Sequence, residues 1–287
     1  MSKTGAKLLL TAVFIARGSS FLFSKNLMGT MSPMSILAVR FILAFMVLAV
    51  VFYKRLQHLE RATIKGGLIL GVLYTICMIF EMYGLRLVDS GVSALIENMA
   101  ILFVPLYVAL WTRTWPKAKT LFCAVMAIAG VGLLSISQMS LDNGGLGIFL
   151  IICAALTYGF CVIATEKVSR KGDPVAIGII QLGVMGFLSL VVALLTEGFA
   201  LPSGQNQWIM LLFLVLICSC FGFTFQPVGQ KYLSAETAAV LTVINPLTAS
   251  IMGVMIAHEG LTISKGIGYI VILLALLIYN RGSKSAS

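Results

Sequence analysis

Charge is scarce in this 287-residue chain: Asp, Glu, Lys and Arg make up 10% of it and there are two histidines. A soluble domain carries about 25% charged residues, so a soluble enzyme or a binding module with a solvated surface is excluded. Catalytic signatures are missing as well. There is no His-Glu-x-x-His helix, no phosphate-cradling glycine loop and no Gly-x-Ser-x-Gly elbow, and His58 and His258 are expected near opposite faces of a membrane. The expectation is a protein that is not an enzyme and carries no cofactor. Cysteines are few: Cys77, Cys123, Cys153, Cys161, Cys218 and Cys220 lie inside apolar runs at spacings that match no zinc or redox pattern, which predicts small buried side chains, no disulfide and no metal site. The three tryptophans, Trp111, Trp115 and Trp208, sit near the ends of runs, so a cage built from tryptophan is disfavoured.

Apolar residues fill that space, at 60% of the chain with a mean hydropathy of +1.04. A hydrocarbon core of about 30 Å needs about 20 apolar residues per helix. The chain divides into ten such runs, at about 6 to 24, 33 to 53, 64 to 86, 91 to 112, 118 to 138, 145 to 168, 174 to 197, 206 to 230, 235 to 257 and 263 to 280. They are continuously apolar and do not alternate, which predicts an all-α integral membrane protein of ten transmembrane helices and not a barrel. Lys3 and Lys7 precede the first run as in a signal peptide, but no small-residue cleavage site follows, so it is read as a retained helix.

With the N-terminus inside, 15 of the 20 basic residues fall in inner segments, and only Lys25, Arg86 and Lys265 fall in outer ones. This bias predicts that both termini are cytoplasmic in an inner or plasma membrane. It also explains the net charge of +10 without nucleic acid.

The second half repeats the first. Gly84-Leu85-Arg86-Leu87-Val88 aligns with Gly229-Gln230-Lys231-Tyr232-Leu233 at an offset of 145, and Ser93-Ala94-Leu95-Ile96 with Ala238-Ala239-Val240-Leu241. Nearer the N-terminus the offset is 141, which places Gly18 on Gly159 and Ser32-Pro33 on Asp173-Pro174. Two five-helix units, 1–140 and 141–287, follow within one membrane domain. An odd number of spans per unit makes them cross the membrane in opposite directions, the plan of an alternating-access carrier.

Gly18-Ser19-Ser20-Phe21, Ser32-Pro33, Arg40-Phe41, Gly84-Leu85-Arg86, Ser93-Ala94-Leu95-Ile96, Asn245-Pro246-Leu247 and Glu259-Gly260-Leu261-Thr262 carry a likeness to a known family. Over essentially its whole length the chain resembles the EamA-like branch of the drug/metabolite transporter superfamily. The resemblance implies a ten-helix inverted-repeat carrier that moves small metabolites, often outward. It departs from the family's pattern at Arg17, where tryptophan is usual, at Pro105 in place of a proline near Ile101, and at Arg113-Thr114, where a glutamate is usual.

Four ionisable residues interrupt the spans. Arg17, Arg40, Glu81 and Glu97 each lie five to seven residues from the outer end of their helix, a common depth of about 7 to 10 Å. Two positive and two negative groups in one layer predict a neutralising cluster that faces the interior. It either latches helices together or binds substrate charge, a proton, or both. An arginine stem is also long enough to snorkel outward, Arg40 first. Through the repeat the four map onto Tyr158, Gln181, Gln226 and Thr242, all polar and uncharged, which predicts a path with a charged outer half and a hydrogen-bonding inner half. Tyr74 shares a face with Glu81, and Asn98 is expected to bond a neighbouring helix. Gly18, Pro105 and Pro246 are candidate hinges, and Gly67-x-x-x-Gly71 a close-packing face.

The expected function is a secondary active transporter, an exporter of a small metabolite such as an amino acid or derivative. Arg17 or Arg40 would hold the carboxylate and Glu81 or Glu97 the amine or a coupling proton. The alternatives are an organic cation carrier, such as one for quaternary amines, and a membrane scaffold that transports nothing. The lipid bilayer and a small-molecule substrate are the expected partners; the sequence leaves the oligomeric state open.

Overall fold

A computed structural model describes residues 1–113, 118–119, 122–123, 125–126, 129–130, 133, 143–242, 244–256 and 262–283. Among these residues the regular structure is helical, with no strand. Eight helices are long and apolar enough to cross a membrane, and they match eight of the ten expected runs. The fifth expected run lies largely outside the described residues, as do Trp115, Lys117, His258 and Glu259 to Leu261. A further helix, Ile263–Ser283, covers the tenth.

Local sequence explains where the helices begin. α1 (Lys3–Leu27) starts at Ser2, whose hydroxyl accepts from the Gly5 amide, 3.1 Å away. α2 (Pro33–Val51) is capped by the Ser32 hydroxyl, which accepts from the Ser35 amide. α3 (Arg61–Leu87) is followed by a broken fourth span, α4 (Ser90–Glu97) and α5 (Ala100–Thr112). α6 (Gly144–Ser169) leads to α7 (Pro174–Thr196), where the Asp173 carboxylate caps Val175 at 3.0 Å. Ser32-Pro33 and Asp173-Pro174, aligned by the repeat, thus do the same work: an oxygen-bearing cap followed by a proline whose missing N–H costs nothing in the first turn.

The eighth span runs as α8 (Gln205–Phe213), a π-helical stretch over Leu214–Phe223, and α9 (Thr224–Gln230). The ninth is broken like the fourth, into α10 (Ala235–Leu241) and α11 (Ile244–Met255); α12 (Ile263–Ser283) follows. The two breaks come at equivalent places. Asn98 and Met99 separate the halves of the fourth span, and Thr242, 144 residues after Asn98, follows the first half of the ninth. Prolines alone do not locate them. Pro246 clashes with the carbonyl four residues back, that of Thr242, but Pro105 lies inside α5, six residues after Met99. Three-residue bonds tighten both junctions, Ile101 to Asn98 at 3.1 Å and Asn245 to Thr242 at 2.9 Å.

Small residues let the helices approach. A Cβ on Gly67 would lie 2.6 Å from Ile180, and one on Gly71 2.4 Å from Val184, so the Gly67-x-x-x-Gly71 face packs against α7 within the molecule. Along that seam residue numbers rise together, Gly66 meeting Ile177 and Gly71 meeting Val184, so α3 and α7 are parallel. Against α6, α3 runs the other way: Gly84 meets Ile151, Cys77 the Ala154 carbonyl and Gly66 Val168. α2 is antiparallel to α7, with the Met34 amide on Glu197 and Phe45 on Gly183. α1 is antiparallel to the eighth span, with Leu10 against Gly229 and Phe23 against Phe213.

The outer surface is apolar: Leu110, Trp111 and Leu195 are 77%, 82% and 79% exposed. Four charged side chains, Arg17, Arg40, Glu81 and Glu97, are buried instead, an arrangement that suits hydrocarbon as solvent.

Candidate functional site

Arg17 is the centre of the buried polar layer. It projects from the middle of α1 toward the eighth span, where Gly222 leaves room for its stem; a Cβ there would be 3.2 Å from the Arg17 Cγ. Arg17 Nη1 donates to Gln226 Oε1 at 2.5 Å and to the Tyr158 hydroxyl at 3.3 Å. Gln226 Nε2 donates in turn to the Tyr74 hydroxyl at 2.9 Å, which sits 3.5 Å from the Thr165 hydroxyl. Four elements, α1, α3, α6 and α9, are thereby tied into one network.

Three rings enclose the guanidinium. Its carbon is 4.5 Å from the centre of Phe223, 5.0 Å from Tyr158 and 5.7 Å from Tyr74. The rings brace one another edge to face, Tyr74 on Tyr158 at 6.2 Å and on Phe223 at 5.6 Å. A cation over desolvated rings gains about 2 kcal/mol, which offsets part of the cost of burying the charge.

Arg40 also approaches Phe223, its guanidinium carbon 5.9 Å from the ring centre, and its Nε donates to the Ser219 hydroxyl at 2.6 Å. It is 2% exposed, so it does not snorkel: the hydroxyl and the rings of Phe41 and Phe223 hold it inside. Glu81 on α3 and Glu97 at the end of α4 are each 4% exposed. Cys77 Sγ stands 3.9 Å from Glu97 Oε1.

Among the described residues, no arginine nitrogen of the layer comes within 4.0 Å of a carboxylate oxygen of Glu81 or Glu97; the ion pairs are those of Lys25, Arg55 and Arg170 at the helix ends. The latch of direct ion pairs is therefore not what the four groups form. Glu81 Oε2 is buried with no hydrogen-bond partner, and so are the side-chain oxygens of Gln181 and Asn245. Asn98, expected to bond a neighbouring helix, is also unpartnered through both side-chain atoms because it sits in the break between α4 and α5.

The expected outer and inner halves merge. Tyr158 and Gln226 touch Arg17 directly, because antiparallel packing of α3 on α6, and of α1 on the eighth span, brings mid-helix residues of the two units to one level. Gln181 and Thr242 stand apart from this network: Gln181 Nε2 points at the Met185 sulfur, 4.0 Å away, and the Thr242 hydroxyl donates to the Ala239 carbonyl of its own helix. The hinge candidates differ in role. α1 continues unbroken through Gly18, whose missing Cβ admits the Asn245 carbonyl, whereas Pro246 lies just beyond a helix break.

Phe223 and Ser219 escape a reading by charge and repeat. They reach the arginines because the π-helical stretch rotates the face of the eighth span, a local change common at functional sites. The small and polar Cys218-Ser219-Cys220 and Gly222, inside an apolar run, are the only trace of it in the sequence.

Relatives share the whole architecture. The chain is 21% identical over 99% of its length to the uncharacterized transporter YvbV of Bacillus subtilis, covering 94% of that protein. It is 27% identical over 66% of its length to an uncharacterized transporter of Archaeoglobus fulgidus, covering 67% of that protein. A protein of known crystal structure superposes over 100% of both chains with a TM-score of 0.74 at 16% identity, a likeness of fold alone. The EamA-like transporter family model matches twice, over residues 3–136 and 145–281. A multi-pass helical bundle with a buried polar layer, matched from end to end in this way, belongs to the EamA-like transporter family.

Proposed function

We propose that this transporter is secondary active, built as two inverted five-helix units over 1–140 and 141–287, and that it exports a small metabolite with both charge signs, such as an amino acid or derivative, by alternating access. Two matches to one family model support the duplication. So do the equivalent breaks of the fourth and ninth spans. The helix directions support the inversion: if the first three spans alternate, the observed pairings set the sixth, seventh and eighth against the first, second and third. The excess of basic residues in the inner segments supports cytoplasmic termini.

One observation carries the substrate reading: two arginines and two glutamates are buried in one layer with no ion pair between them, beside a broken helix. Leaving buried charges unpaired costs several kcal/mol, a cost that structure alone does not require and that a charged solute would offset. Arg17 and Arg40 supply guanidinium groups for a carboxylate. Two buried carboxyl groups in one layer are costly to ionise together, so Glu81 and Glu97 form the place for a coupling proton or for the amine. The broken helices at corresponding points of the two units are where such carriers hold their solutes.

The test is uptake into liposomes of a labelled amino-acid panel and of quaternary amines, under imposed proton and solute gradients. Glu81→Gln and Glu97→Gln, folded normally, are expected to lose at least tenfold in uptake of the transported amino acid. No uptake of any solute under any gradient would refute the carrier and favour the scaffold.

A further inference from the structure

We infer that Arg17 is the specificity-determining residue of the buried site: its guanidinium fills an aromatic cage that would otherwise accept an organic cation, and so commits the site to anionic groups. This rests on the reading of the polar layer as the solute site, and it says which charge that site selects.

The cage is complete. Phe223, Tyr158 and Tyr74 surround one cation at 4.5, 5.0 and 5.7 Å, and their edge-to-face contacts fix the walls. One end presents an acceptor, Gln226 Oε1, to the cation. Glu81 and Glu97 are buried in the same layer. Rings, an amide oxygen and nearby carboxyls make up the chemistry that recognises alkylguanidinium and quaternary ammonium ligands. Here the ligand is the protein's own side chain.

Arg17 also changes what the site offers. Its hydrogen bonds among the described residues all leave through Nη1. Nε and Nη2 remain, and these are two of the nitrogens of the fork that grips a carboxylate or phosphate in two places. Arg40 approaches the same Phe223 ring, its guanidinium carbon 5.9 Å from the ring centre, so an anion near the cage meets two guanidinium groups. A free organic cation meets like charge where the rings would have held it.

Deleting the plug should invert the preference. Arg17→Ala removes the atoms of ethylguanidine, and that compound is the probe, added to the purified full-length protein and followed by calorimetry and thermal melting. Wild type is expected to bind none, and Arg17→Ala to bind it saturably with a rise in melting temperature. Tetramethylammonium, which has the charge but no N–H for Gln226, is expected to bind Arg17→Ala more weakly. Adding Phe223→Leu to Arg17→Ala should weaken ethylguanidine binding by about thirtyfold, the equivalent of one desolvated cation–π contact. Arg17→Met fills the cage without charge and should bind neither probe.

A folded Arg17→Ala protein that binds no ethylguanidine overturns the inference, as does equal binding by Arg17→Ala and Arg17→Met. If Arg17→Ala folds only when purified with ethylguanidine, the cage is supported. If it cannot be recovered even then while Arg17→Met folds, the cage is refuted. None of these readouts uses transport, so a failure of the cage and a failure of the carrier reading are told apart.

Discussion

Gln226 bridges the two halves of the central network, and replacing it with leucine should show how much that network is worth. The amide accepts from Arg17 at 2.5 Å and donates to the Tyr74 hydroxyl at 2.9 Å. A hydrogen bond to a charged group contributes about 1.5 to 3 kcal/mol, and a neutral one between membrane helices about 0.6 kcal/mol. Gln226→Leu keeps nearly the same volume and should therefore cost about 2 to 4 kcal/mol. Tyr74→Phe removes only the hydroxyl: the ring keeps its contacts with Tyr158, Phe223 and Arg17. Its cost should be about 0.6 kcal/mol. In the double variant Tyr74→Phe should cost almost nothing more, since the remaining Thr165 contact, at 3.5 Å, is at the limit of a bond. The coupling energy is then about 0.6 kcal/mol. Reversible unfolding in mixed micelles measures all four corners of the cycle. Strict additivity, or a Gln226→Leu cost below about 1 kcal/mol, would refute the network as drawn.

Two other predictions concern stability. At Gly18 a Cβ would meet the Asn245 carbonyl at 2.6 Å and Thr248 Cβ at 2.8 Å, while at Gly145 it would meet nothing within 4 Å; Gly18→Ala is expected to cost about 1 to 3 kcal/mol in micelle unfolding, and Gly145→Ala to be neutral or stabilising. Glu166 Oε2 accepts from the first amide of α10, that of Ala235, at 2.7 Å while Oε1 pairs with Arg170 at 2.8 Å; Glu166→Ala should speed amide exchange at the start of α10 by about tenfold, with no change at α2 as the control.

Much of the site was legible because buried charge in an apolar span is conspicuous. Arg17, Arg40, Glu81 and Glu97 stand out for that reason alone, and all four are buried. The repeat added Tyr158 and Gln226, since equal depth in antiparallel helices becomes contact when the helices touch. It did not place Gln181 or Thr242 in the network. Their backbones sit at the aligned positions, yet Gln181 turns to Met185 and Thr242 to its own helix, and rotamer choice leaves no mark in a sequence. The break at Asn98 and Met99 was hidden too, because no glycine or proline lies there. Phe223 stayed hidden for a third reason: one more aromatic residue in an apolar run has no signal of its own, and only the π-helical turn aims it at Arg17.

On the proposed duplication, the ends of the molecule correspond as its centre does, with the chemistry exchanged. Lys25, at the end of α1, donates to the Val88 carbonyl and pairs with Asp89 just before α4. Its repeat counterpart, at an offset of 141, is Glu166 near the end of α6, which accepts from the Ala235 amide at the start of α10. A cation therefore grips the entry to one broken span and an anion the entry to the other. On the proposed inverted plan these ties fall on opposite faces of the membrane, and both are made in this conformation while Arg17, Arg40, Glu81 and Glu97 are buried. On the alternating-access reading, the tie on one side parts when the layer opens to that side. Each tie is a part-buried hydrogen bond to a charged group, worth about 1.5 to 3 kcal/mol, within what the binding of one charged solute can offset.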